Sequence, residues 1–148
     1  MAAISESIEI SRSPEDVFAY LDDLARHGEW QEQIVSARIE PEGPTRVGTR
    51  ATETRRVAGL EQTIAYEITE HAPPRSYAFR GVGGPIRVSG KGSVEPVGEG
   101  GSRVTMELDF EGHALGTLLA PLVLIQARTQ VPSDLQRLKE RLERPAAV

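Results

Sequence analysis

Apolar and polar positions alternate at the start of the chain, where Ile4, Ile8 and Ile10 stand against Ser5, Ser7 and Glu9, the period-two pattern of a strand with one buried face. The period then changes. Val17, Phe18, Leu21 and Leu24 recur three and four residues apart, the spacing of a helix with one apolar side. Its start is marked chemically: Ser13 offers an N-cap hydroxyl, Pro14 suits the first helical position, and Glu15 and Asp16 sit against the positive helix end. Gly28 is placed to stop this helix or a short successor.

From Ile34 onward, alternating runs separated by turn residues predict strands, with no second long helical pattern before residue 114. Val35, Ala37 and Ile39 alternate ahead of Pro41-Glu42-Gly43-Pro44, and Val47 to Ala58 reads as a longer, polar strand. Ile64, Tyr66 and Ile68 share a face, Ala72-Pro73-Pro74 turns the chain, and Tyr77 and Phe79 share the next inward face. Beyond Gly81-Val82-Gly83-Gly84-Pro85, Ile86, Val88 and Val94 keep one parity while Arg87, Ser89, Lys91, Ser93 and Glu95 keep the other. Gly98-Glu99-Gly100-Gly101 makes the following hairpin, after which Val104, Met106, Leu108 and Phe110 alternate with Arg103, Thr105, Glu107 and Asp109. Gly90 and Gly92 fall on the inward parity, where a missing side chain lets a sheet bend sharply or leaves space above it.

The last pattern is helical again, through Leu115, Leu118, Leu122, Ile125, Leu135, Leu138 and Leu142. Pro121 stands where its main segment would begin, and Pro132, which removes a backbone donor, is expected to kink it. Residues 1–144 read as one domain and residues 145–148 as a frayed tail. The order is a strand, two short helices, six strands and a long helix, an α+β arrangement of about seven strands. A lone C-terminal helix covers one face only, so the antiparallel sheet must curl around it. A cone-shaped fold with its helices first is disfavoured by the helix after the final strand.

Composition narrows the chemistry. The chain of 148 residues has the length of one domain and no cysteine, which excludes disulfides, thiolate metal sites and cysteine nucleophiles. Seventeen basic against 22 acidic residues, a net charge of −5, argue against a nucleic-acid partner. Met1 to Glu6 shows no basic stretch followed by an apolar one, and the apolar run Leu118–Ile125 is far short of the roughly 20 residues of a membrane span. A cytoplasmic location without a membrane span is the expectation, for a monomer or homodimer. His27, His71 and His113 lack metal-ligand spacing and no Gly-x-Ser-x-Gly elbow occurs, so no metal and no cofactor are expected.

Thr49, Glu53 and Arg55 take the inward parity of a strand too polar for ordinary core, so either a pocket is lined there or the strand edge is wet. Glu53 and Arg55, two apart on one face, are placed to form a buried pair. Tyr66 and Tyr77 are core or pocket wall, each with a hydroxyl that needs a partner when buried. Trp30 is either a core anchor or a wall of the cavity mouth, the wall being the preferred reading. Leu122, Gln126 and Arg128 on the long helix are further ligand-binding candidates, Arg128 pointing either into the cavity or out to solvent. Glu53, Tyr66 and His113 are the candidates for proton transfer.

The chain resembles the helix-grip superfamily of START lipid-transfer domains and polyketide cyclase/dehydratase-like proteins. The resemblance is carried by Ser13-Pro14-Glu15-Asp16-Val17-Phe18, Trp30, Val47-Gly48-Thr49, Glu70-His71-Ala72-Pro73-Pro74-Arg75 and Asp134-Leu135-Gln136-Arg137-Leu138-Lys139. These motifs cap, open or turn structural elements, so they speak to fold more than to activity. The resemblance implies a cavity for lipids, sterols, polyketides or other aromatic and aliphatic ligands. Binding or transport of a small hydrophobic molecule is the first expectation. A cyclase or dehydratase using Glu53, Tyr66 or Arg55 is the second, and a protein-interaction domain like the chaperone activators of the superfamily is the third.

Overall fold

The computed structural model describes residues 2–57, 59–113 and 116–144. Strand β1 spans Ile4–Ile10 and helix α1 Pro14–Leu21, followed by a 3₁₀ turn over Leu24–Glu29. Six strands follow: β2 Ile34–Glu40, β3 Arg50–Val57, β4 Leu60–Ala72, β5 Ser76–Gly81, β6 Ile86–Val97 and β7 Gly101–Gly112. Helix α2, Gly116–Glu143, closes the order. The tail at 145–148, Ala114 and Leu115 lie outside the described residues.

All strands join one antiparallel sheet in the order β1-β7-β6-β5-β4-β3-β2. Each neighbour within β2–β7 is therefore the next strand in sequence, and β1 returns to the far edge beside β7. The Ser13 hydroxyl accepts the Asp16 N–H at 3.2 Å, capping α1 as its sequence requires. Ile10, Val17, Phe18, Leu21, Trp30, Tyr77, Val94, Val104 and Met106 meet Leu135, Leu138 and Leu142 of α2 in the main core. Leu24, Ala51, Tyr66 and Ile68 form a smaller cluster on the β3–β4 side.

Four expectations about elements are corrected. Strand β3 begins at Arg50, and Val47, expected on its inward parity, stands 61% exposed in the turn before it. In β2 the pairing shifts between Ile34 and Ser36, so Val35 falls at the bulge and stands 50% exposed, while Ile34 and Ile39 carry what burial there is. Gly90 and Gly92 leave no space: a Cβ on Gly92 would come within 2.6 Å of the Tyr77 ring, and one on Gly90 within 3.0 Å of Phe79. Helix α2 starts before Pro121 and runs through both prolines.

The buried side of α2 changes across Pro132. Leu135, Leu138 and Leu142 are buried beyond it, whereas Leu118, Leu119, Leu122 and Ile125 before it are exposed. At about 100° per residue Leu122 lies about 140° around the helix from Leu135, so one straight apolar stripe was never available. Among the described residues no helix is long and apolar enough to cross a membrane.

Candidate functional site

Between the sheet and the first half of α2 lies a cavity of about 140 Å³. One wall is hydrocarbon, formed by Phe79 of β5, Val88 of β6, and Met106, Leu108 and Phe110 of β7. Helix α2 meets this wall with Val123, Ala127, Val131 and Leu135, four apart along one side. The adjacent side of the same helix carries Gln126, Gln130 and Asp134, also four apart, and these face a polar wall. That wall comes from His27, Trp30, Gln31, Gln33, Glu53 and Arg55. The polar lining side chains thus gather in one half of the cavity, which Leu24, Ile64 and Tyr66 share with them.

The polar half is wired internally. Arg55 Nε donates to Glu53 Oε1 at 3.3 Å and Arg55 Nη2 to the Gln31 side-chain oxygen, so the guanidinium is held on two sides. Glu53 is 3% exposed, and without Arg55 its charge would be costly. Gln33 Nε2 donates to Gln130 Oε1 at 3.4 Å, and Gln130 Nε2 donates to Asp134 Oδ1 at 2.8 Å. Burial raises the Asp134 carboxyl to about 6, opposed by the Gln130 hydrogen bond and by the charges of Arg55 and Arg137.

The remaining polar groups are neutral. His27 Nε2 donates to the Leu21 carbonyl at 2.7 Å, and burial lowers its pKa, so the ring is uncharged at neutral pH. Burial pushes the Tyr66 hydroxyl well above its ordinary range, reinforced by the charge of Glu53, and raises Tyr77 likewise. Among the described residues the Tyr77 hydroxyl has only the Met106 sulfur, at 3.7 Å, as acceptor. Trp30, itself 2% exposed, has a buried indole N–H with no hydrogen-bond partner among the described residues. A buried donor of this kind costs about 1–3 kcal/mol until an acceptor reaches it.

Of the residues singled out in sequence, Trp30, Glu53, Arg55, Tyr66, Tyr77 and Gln126 all line this one cavity. Leu122 and Arg128 do not: Leu122 is 63% exposed, and Arg128 is exposed, because the inward side of this half of α2 belongs to positions 123, 126, 127 and 130. His113 is also outside the cavity, after β7, with Nε2 3.4 Å from the Glu111 carboxylate. Sequence reasoning missed His27, Gln31, Gln33, Gln62, Gln130 and Asp134 as lining. The four-residue recurrence of Gln126, Gln130 and Asp134 was a readable signal for the last two. Among the described residues no three His, Cys, Asp or Glu side chains form a metal-holding group.

A family model described as polyketide cyclase / dehydrase and lipid transport matches residues 1–143. A Mycobacterium tuberculosis protein named as a toxin is 28% identical over 137 residues, covering 92% of this chain and 94% of its own. The fold is shared with the Zhui aromatase/cyclase of a Streptomyces species, at a TM-score of 0.83 and 15% identity over 98% of this chain and 95% of the other. It is shared also with a START superfamily protein of Mycobacterium smegmatis, at a TM-score of 0.78 and 16% identity over 95% and 96%.

Proposed function

Since the chain belongs to the polyketide cyclase / dehydrase and lipid transport family, we propose that it binds one small, mainly hydrophobic molecule in this cavity, with the ligand's body on the β5–β7 wall and a polar group against the opposite side. The observation that carries this reading is the make-up of the cavity, a hydrocarbon wall from β5–β7 facing a side where hydrogen-bonded polar groups such as Glu53, Arg55, Gln130 and Asp134 gather. Its volume of about 140 Å³ suits a single ring or a short chain. An engineered protein cavity of roughly 150 Å³ accepts benzene.

Trp30 is the chain's single tryptophan and stands in the cavity wall, so its emission reports occupancy. Titration with phenyl-substituted alcohols is expected to shift that emission saturably. Trp30→Phe should abolish the signal while calorimetry still detects binding. A panel of such alcohols with no saturable response in either assay would contradict the reading.

A second reading, cyclase or dehydratase chemistry in the same space, is favoured by one observation: the buried Glu53 carboxylate acts electrostatically on the Tyr66 hydroxyl at the cavity wall. Tyr66 would donate to a ligand carbonyl while Glu53 accepts a proton from the adjacent carbon. Glu53→Gln separates the two readings, since an enzyme loses turnover with ligand affinity kept, and a carrier has no turnover to lose.

A further inference from the structure

We propose that Asp134 sets the charge specificity of the cavity, so that it accepts neutral and cationic amphiphiles and rejects anionic ones. This rests on the cavity being the ligand site. The charges around the polar half are Glu53 and Arg55 of β3, Asp134 and Arg137 of α2, and Glu32 in the segment before β2. Arg55 is committed to Glu53 and Gln31, and Arg137 Nη2 donates to Glu32 at 2.9 Å. These pairs cancel. Asp134 is left over: it is 6% exposed, lines the cavity, and makes no salt bridge among the described residues. Its side-chain partner is the neutral Gln130 amide.

The other titratable groups facing this space do not neutralise it. His27, from the 3₁₀ turn, is held uncharged by burial, and Tyr66 of β4 and Tyr77 of β5 remain neutral phenols. Above about pH 6 the cavity therefore carries one uncompensated negative charge. A sulfonate, phosphate or carboxylate entering it would lose its hydration and meet a like charge where water screens poorly. An ammonium group would meet an opposite charge, and aromatic faces at Trp30, Tyr66 and Phe79 add a favourable surface for it. The two nearby guanidinium groups are each already paired with a carboxylate, Arg55 with Glu53 and Arg137 with Glu32. Among lipid-like molecules this favours alcohols, ketones and amines over free fatty acids.

The test uses the full chain and three probes with one shared body: phenylbutanol, phenylbutylamine and phenylbutanesulfonate, the last anionic at every accessible pH. Trp30 emission gives each affinity. At about pH 8 the alcohol and amine are expected to bind and the sulfonate to bind at least about tenfold more weakly, the equivalent of one pKa unit of interaction. Asp134→Asn should narrow the sulfonate-to-alcohol gap by about the same factor, read as the ratio of the two affinities in that one variant. Lowering the wild-type protein to about pH 5 should narrow the gap in the same direction, a check that needs no variant. Sulfonate bound as tightly as alcohol by the wild type at about pH 8 would overturn the charge specificity while leaving the ligand site intact. No response to any of the three would instead overturn the ligand site, and this proposal with it.

Discussion

At the scale of single residues, Asp134 makes a stability prediction whose sign follows from burial. Its carboxyl titrates near 6 in the fold, against the ordinary 3.8, so the native state holds this proton more tightly than the unfolded chain does. The Asp134 contribution is therefore most favourable below about pH 4 and is lost as pH rises through about 6, at a cost of about 2–3 kcal/mol above both values. Asp134→Asn should unfold at higher urea than wild type at about pH 8, and the advantage should shrink by about pH 5, because the amide does not titrate. Equal midpoints for both proteins across this range would contradict a desolvated carboxyl. Glu53 behaves differently because it has a cation: Glu53→Ala would strand Arg55 among buried neighbours and is expected to cost about 3 kcal/mol.

At the scale of elements, β5 and β6 fit by exchanging bulk. Tyr77 and Phe79 fill the inward space that Gly92 and Gly90 leave, with Tyr77 opposite Gly92 and Phe79 opposite Gly90 in the ladder. Gly92→Ala would push a methyl into the Tyr77 ring and is expected to destabilise the fold by about 1–3 kcal/mol and to perturb near-ultraviolet dichroism from that ring. An unchanged urea midpoint and dichroism would contradict the packing. The glycines were visible in sequence as inward positions, but what fills the gap is a cross-strand matter that parity along one strand does not disclose. The strand register around Glu53, Arg55 and Tyr66 was legible because Ala51, Glu53, Tyr66 and Ile68 alternate faithfully and no bulge interrupts β3 and β4 where they pair. The orientation of α2 was not legible. Its N-terminal half places Gln126 and Gln130 inward and Leu118, Leu122 and Ile125 outward, the reverse of what hydrophobicity alone assigns. That half borders a cavity, and no filled core is there to reward leucine.

At the scale of the whole molecule, the curled sheet and its terminal helix were implied by the element order, since one helix has to cover one face of seven strands, and the enclosed space by the resemblance. Which polar groups gather in the cavity was only half implied. Glu53, Arg55 and Tyr66 were found from strand parity, while Gln31, Gln33 and His27 arrive from an irregular segment with no period to read. The molecule consequently offers two apolar surfaces to a hydrophobic compound: the cavity wall, and the exposed stripe of Leu118, Leu119, Leu122 and Ile125 on the outside of α2. The exposed stripe is also what a protein-interaction domain would need, and it lies on the helix and not on the strands. The measurement that separates cavity binding from adhesion to this stripe is methyl nuclear magnetic resonance of the labelled protein titrated with phenylbutanol. Binding inside predicts saturable shifts at Val88, Met106, Leu108, Val123 and Val131, with the methyl groups of Leu118, Leu122 and Ile125 unmoved. Shifts confined to the exposed stripe, with the cavity methyl groups unmoved, would contradict the account.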